Sequence, residues 1–457
     1  MNKRTFLLLL IGITALLSGS CKKFVDIGSP TNTVTTATVF IDSASASSAV
    51  LGIYSKMMDN TLLPLPKFAS GLTTIYGGQS ADEIIAYNTG DLTFYQNTLV
   101  QENGSLKLFW QDAYSLVYLS NICIEGLQQS TTINDATKSQ FIGEAKFARA
   151  FTYFYLINFF GDVPYLTSSD WTKTFGHGRT PVATIYDNII QDLLDAQAQL
   201  PVSYPTATGK TRPTQSAATA LLARVYLYTG QWAKAEQAAN SVISSNTFSL
   251  TTFDKVFLAN NSEAIWQLAP VITNYNTPEG YAIAPTAIPY YYLQPTLATA
   301  FEPGDLRYTN WVKSVTYSGT TYYCPYKYKV KSGATVTEYY DVLRLAEQYL
   351  IRAEVRNNQS NTTGAISDLN VIRKRAGLTA LSSTLTQDQC KAAIEQERRI
   401  ELFCEWGHRW LDLKRTNRAN AVLSTVKPKW VPTAVLYPIP ITEIQSDPSL
   451  APQNDGY

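Results

Sequence analysis

Histidine and cysteine are scarce in this sequence: 2 histidines and 5 cysteines in 457 residues. Cys123, Cys324, Cys390 and Cys404 lie far apart and form no CxxC pair, which argues against a thiolate zinc cluster. Cys123 and Cys404 sit in apolar helical patterns and read as small core residues. Their spacing selects no disulfide pair. An excess of either charge is missing too, with 37 bases against 36 acids. A nucleic-acid partner needs a basic face, and a near-neutral chain suits a neutral ligand better. The sequence has no G-x-S-x-G elbow, Walker A loop or HExxH pair, so no catalytic motif speaks for an enzyme. After the first twenty residues no run is long and apolar enough to cross a bilayer. The chain is not short of core, since 45% of it is hydrophobic and only 16% charged.

The N-terminus has the layout of an export signal. Lys3 and Arg4 precede an apolar run from Phe6 to Leu17, then Ser18, Gly19, Ser20 and Cys21. Twelve apolar residues are too few to span a membrane. A cysteine directly after small residues resembles a bacterial lipobox. That resemblance implies cleavage before Cys21 and its acylation, with residues 1–20 as signal peptide and 21–42 as a Ser/Thr-rich tether. Several acyl chains on one residue give stable anchoring, since each buried CH₂ contributes roughly 0.8 kcal/mol.

Two long helical parts are expected, 43–245 and 246–457, within one compact unit. Helices are predicted at Ser43–Met58, Leu106–Gln128 and Gln140–Phe160. In the last, Phe147, Phe151 and Phe154 recur at helical spacing and the remaining faces are also apolar. Gly161 and Pro164 close it. Residues 214–244 read as two helices joined by Thr229-Gly230-Gln231-Trp232, with the small Ala235 letting them approach. This resembles the turn of a tetratricopeptide repeat. A second pair is predicted from Val342 to Ala376 and a further helical stretch over Gln387–Leu413. The pairs are separated in sequence and must meet in space to bury their faces. Residues 60–105 and 245–340 lack sustained periodicity and are rich in tyrosine. They read as long loops with a few short strands, such as Tyr326–Val330.

Six blocks in order resemble the SusD/RagB family of surface lipoproteins. They are CKKFVDIGSP at 21–30, GEAKFARAFTYFYLINFFGDVPYLT at 143–167 and AATALLARVYLYTGQWAKAEQAANSVI at 217–243. VLRLAEQYLIRAEVRNN with AISDLNVIRKRAGL follows at 342–378, ERRIELFCEWGHRWLDLKR at 397–415 and LYPIPITEIQSDPSLAPQNDGY at 436–457. The resemblance implies a mainly α fold with tetratricopeptide-like pairs as scaffold and ligand contacts in the irregular loops. It implies a SusC-type TonB-dependent outer-membrane transporter as partner, an oligosaccharide or similar nutrient oligomer as ligand, and a lipid-anchored place on the extracellular side of the outer membrane. It implies neither a cofactor nor a metal. A surface-anchored glycan hydrolase is the alternative.

Sugar rings present apolar C–H faces that stack on flat aromatic faces, and tyrosine adds a hydroxyl. The ligand-contact candidates are therefore Tyr76, Tyr87 and Asn88 in the first irregular region, with Tyr290, Tyr291, Tyr292 and Trp311 in the second. Glu405, His408 and Asp412 stand at helical spacing and could be drawn as a metal site. Zinc usually takes more than one nitrogen or sulfur ligand, so an ion-pair network is expected instead: Glu395 with Arg399, Glu405 with Arg409, His408 with Asp412.

Overall fold

Local capping chemistry starts the helices where the sequence puts small polar residues. The computed structural model describes residues 2, 39–58, 63–87, 92–205 and 209–457. The export signal, Cys21 and most of the tether lie outside them, as does Asn88. Helices of eight residues or more are labelled here. Asp42 accepts the amides of Ala44 and Ser45 and opens α1 (Ser43–Met58). After α2 (Thr73–Ser80), Asn103 and Asn134 cap α3 (Gly104–Gln129) and α4 (Asp135–Phe160), each accepting an amide at 2.9 Å. Helix α4 is buried on several sides because α1, α3 and α5 (Val182–Gln199) pack around it. Its Phe147, Phe151 and Phe154 are fully buried. Helix α5 is not among the predicted ones, although Ile185, Ile189, Leu193 and Ala196 give it one apolar stripe.

The repeat-like pair is α6 (Gln215–Tyr228) and α7 (Trp232–Ser244). Gly230 turns between them at φ 69°, and Ala235 is fully buried at their contact. The second pair is α8 (Leu345–Asn358) and α9 (Thr362–Arg375). Helix α7 packs on α8, which joins the two pairs across a hundred residues of intervening chain. Next come α10 (Gln387–Glu401), which packs on α8 and α9, then α11 (His408–Arg415) and α12 (Ala419–Val426). The fold is mainly α, with tetratricopeptide-like pairs and few strands.

Three antiparallel two-stranded ribbons are present among the described residues: β1 (Ile84–Ala86) with β3 (Tyr291–Leu293), β2 (Ala264–Leu268) with β6 (Tyr340–Arg344), and β4 (Val312–Tyr317) with β5 (Thr320–Pro325). Val342–Arg344 thus end a strand rather than begin a helix, because β2 supplies their backbone partner. Tyr326–Val330 is not a strand either. Its Lys327 and Tyr328 are both buried.

The predicted helix over 387–413 breaks at 402–407. Cys404, Trp406 and Gly407 take positive φ of 50°, 49° and 65°. The Trp406 amide donates to Thr74 Oγ1 at 2.8 Å, and a Cβ on Gly77 would lie 2.7 Å from Gly407 Cα. Gly77 of α2 therefore lets this corner dock. The ion pairs expected from helical spacing find other partners, and only Glu405 lies in the break itself. Arg399 and Arg409 both bind Asp82, while Glu395 binds Arg409 and Arg418. Glu405 instead meets Lys327 at 2.5 Å and Arg344 at 2.7 Å. Asp412 takes Arg398 and Arg415. Arg344 also binds Glu263 and Glu401, and Arg375 adds to both. Burial would raise the Glu401 carboxyl, but Arg375, Arg344 and Arg307 hold it well below the usual range. His408 is kept neutral by burial and by the nearby Arg224 and Arg398. No cluster of three metal-ligating side chains occurs among the described residues.

Candidate functional site

The two irregular regions meet. Strand β1 follows α2 in the first, β3 belongs to the second, and they pair with Ile85 opposite Tyr292 and Ala86 opposite Tyr291. The ladder extends one step further, where the Tyr87 amide donates to the Tyr290 carbonyl at 2.9 Å. Successive side chains on a strand point to opposite faces. Ile84 and Leu293 face the core and are buried, and Tyr291 packs against the same core. Ile85, Tyr87, Tyr290 and Tyr292 alternate to the other face.

A second ribbon completes that face. Ser318 and Gly319 take φ of 48° and 78°, the positive pair a tight two-residue hairpin turn needs, and they join β4 to β5. Tyr317 and Tyr322 lie on one side of the hairpin, since Val315 pairs with Tyr322 and Tyr317 with Thr320. The Tyr87 ring meets Tyr317 at 5.5 Å and Tyr322 at 5.4 Å, both edge to face. Tyr322 also meets Tyr292 at 5.0 Å. The four rings are all half-buried, so each keeps part of its surface in solvent. Beside them Tyr290 is 42% exposed and carries the Lys331 ammonium 4.8 Å over its ring. The result is an aromatic face edged with phenol hydroxyls and one cation.

Tyr87, Tyr290 and Tyr292 are thus brought together. Tyr291 is on the opposite face of the same strand. Tyr76 packs on the core, stacked on Phe94 with ring centres 3.8 Å apart. Trp311 is fully buried and leaves the candidate set. Its Nε1 donates to the Phe253 carbonyl at 3.2 Å, Phe253 lies edge-on at 4.8 Å, and the Lys327 ammonium sits 4.3 Å over its ring. The loop position that suggested exposure is overruled by a core that needs a large apolar cover for Lys327. Asn88 lies outside the described residues. Tyr317 and Tyr322 were not among the site candidates, although the Ser-Gly turn between two alternating runs was a signal for them.

Two carboxyls near this ribbon have the raised pKa of a general acid. Glu83 is pushed up to about 8, by burial first and then by Asp82, and Glu279 to about 8, chiefly by burial. Yet they are 1% and 3% exposed. A glycosidase acid must touch the glycosidic oxygen, and these two are sealed in the core.

A family profile described as "Starch-binding associating with outer membrane" matches residues 48–227, and the SusD family profile matches residues 306–457. The chain belongs to the SusD/RagB family. Among its SusD-like relatives, protein P2 of Formosa agariphila is 28% identical over 427 residues, covering 79% of this chain and 82% of the relative. The solved SusD superfamily protein from Bacteroides vulgatus superposes with TM-score 0.79 at 20% identity, over 92% of this chain and all of the other. A laminarin-binding SusD-like protein superposes at 0.73 with 23% identity, over 91% and 99%. Surface glycan-binding protein A from Bacteroides uniformis gives 0.76 at 21% identity, over 90% and 99%. These likenesses establish a SusD fold. Among the described residues no helix is long and apolar enough to cross a membrane.

Proposed function

We propose that this SusD-family chain is a non-enzymatic glycan-binding protein of the cell surface. It captures an oligosaccharide and passes it to a SusC-type TonB-dependent transporter. The observation that carries this reading is the face of Tyr87, Tyr292, Tyr317 and Tyr322, assembled from both irregular regions. Half-exposed rings offer stacking surface and hydroxyls for a sugar. The names of two solved relatives, one laminarin-binding and one glycan-binding, support the same ligand class. The hydrolase alternative requires two placed carboxylates at the ligand, and the residues forming this face are tyrosines, Ile85 and Lys331. Acylation at Cys21 would hold the protein on the outer leaflet and so keep it beside the transporter.

The test is calorimetry of the purified protein against a panel of neutral oligosaccharides, followed by product analysis of the same mixtures. We expect affinities near micromolar or weaker, about −8 kcal/mol at most, because a few exposed rings give limited energy. Cleavage of any panel member by pure protein would establish the hydrolase instead. Co-purification with a TonB-dependent barrel tests the delivery step, and its absence from membranes containing both would refute that step.

A further inference from the structure

A groove of about 1240 Å³ lies far in sequence from the tyrosine ribbons. It is walled by the C-terminal end of α4, the loop before α5, the end of α11 and the C-terminal tail. No residue of β1, β3, β4 or β5 lines it. Small-molecule sites are about 300–1,000 Å³, so this volume suits an oligomer.

Two basic side chains on its wall make no hydrogen bond to a carboxylate, unlike the buried arginines of this protein. Arg149, Arg224, Arg307, Arg344, Arg398 and Arg409 are buried, and each holds a carboxylate. Arg179 binds only neutral oxygens: the carbonyls of Asp162 and Pro452, both at 2.7 Å, and the Asn454 amide. The Lys414 ammonium donates to one acceptor, the Asn158 carbonyl, and otherwise sits over the rings of Phe159 and Trp410. Lys427 shows what a structural lysine obtains in this fold: three carbonyls and the Asn97 amide oxygen. An ammonium has three donors, so two of those on Lys414 are unspent. Burial alone lowers its pKa to about 7. The Tyr228 hydroxyl, on the same wall, is buried and has no hydrogen-bond partner. Asp162 and Asp455 also line the groove; Asp162 accepts the Val182 amide and its carboxylate acts on Arg179, while the third cation, Arg415, is neutralised by Glu354 and Asp412.

We propose that this groove is a second binding site and that it takes an acidic oligosaccharide, whose uronate carboxylate is drawn to Lys414 and Arg179. The exposed Asn420 amide on the wall can donate to its hydroxyls, whereas Asn158 and Gln453 spend their side-chain N–H groups within the protein. The site is independent of the tyrosine face.

Calorimetry of the full-length chain in mild detergent decides it, with trigalacturonate, trimannuronate, maltotriose and sodium acetate as probes. One of the two uronates should bind, and binding should persist unchanged in a Tyr87→Ala/Tyr292→Ala variant. Lys414→Met should weaken it at least tenfold. Asn420→Trp fills the groove from an exposed position, keeps the test open if the lysine variant does not fold, and should weaken binding equally. Binding of neither uronate overturns the proposal. So does loss of binding in the tyrosine variant, or unchanged binding in both groove variants. Equal affinity for acetate or maltotriose overturns the ligand class.

Discussion

Replacing Tyr292 and Trp311 separately by alanine separates binding face from core. Both are large aromatics of the same irregular region, and their neighbours differ. Tyr292 is half-buried and has one edge-to-face ring neighbour, Tyr322 at 5.0 Å. Such a ring pair contributes roughly 0.5–1.5 kcal/mol beyond burial, so Tyr292→Ala should cost about 1–2 kcal/mol. Trp311 is fully buried against Phe253 and Phe257, spends its indole N–H on Phe253 and covers Lys327. Truncating a core tryptophan costs about 3–5 kcal/mol. Here the loss should reach the upper end, since the change also strips the cover from a buried ammonium. Urea unfolding followed by circular dichroism measures both, and calorimetry with a bound oligosaccharide adds the second readout. Tyr292→Ala should lose affinity and keep most of its stability. Equal stability losses would refute the division into face and core, and a harmless Trp311→Ala would refute the core assignment.

Arg344→Met leaves Glu263, Glu401 and Glu405 without their shared cation and should cost about 3–5 kcal/mol, read from the unfolding midpoint. Gly77→Ala places a Cβ 2.7 Å from Gly407 Cα and should cost about 1–3 kcal/mol by the same measurement, whereas Gly104→Ala, which meets nothing within 4 Å, serves as the control. Glu83 and Glu279 have folded pKa values raised from 4.5 to about 8, so their contribution is complete below pH 4.5 and is lost as pH rises toward 8. Buried neutral His408 acts in the opposite sense near pH 6, so the test is a comparison: a Glu83→Gln/Glu279→Gln variant should lose less thermal stability than wild type between pH 5 and 8. Parallel profiles would show that the two carboxyls are already ionised. Cys21→Ala should release the protein from the membrane fraction, and mass spectrometry finding an unmodified Cys21 on membrane-bound wild type would overturn the anchor.

The helical scaffold was legible because its signals are local. The Phe147–Phe151–Phe154 spacing, Gly161 and the Gly230 turn each act within a few residues of where they stand. Helix α5 escaped notice although its stripe is regular, since Asp187, Asp192 and Asp195 interrupt the apolar impression and Asp192 finds its partner only in Arg149 of α4. The ion pairs of 395–412 were legible in kind but not in partner. Glu395 with Arg399, and His408 with Asp412, each share an unbroken helix, yet Asp82, Arg409, Arg418 and Arg398 reach them from elsewhere in the fold. Glu405 is displaced by the break at 402–407, which docks onto Thr74 and Gly77 more than three hundred residues earlier.

The sequence by itself determined the family, the helix pairs and the presence of two tyrosine-rich irregular regions. Those are matters of composition and short-range periodicity. Which tyrosines form a face was decided by tertiary structure. The pairing of β1 with β3 fixes a register in which Tyr290 and Tyr292 share a side and Tyr291 takes the other, and a one-residue slip would exchange them. Trp311 went to the core for the same kind of reason. Lys327, sixteen positions away, is buried beside Glu405 and needs a ring above it, and only the folded chain brings the two together.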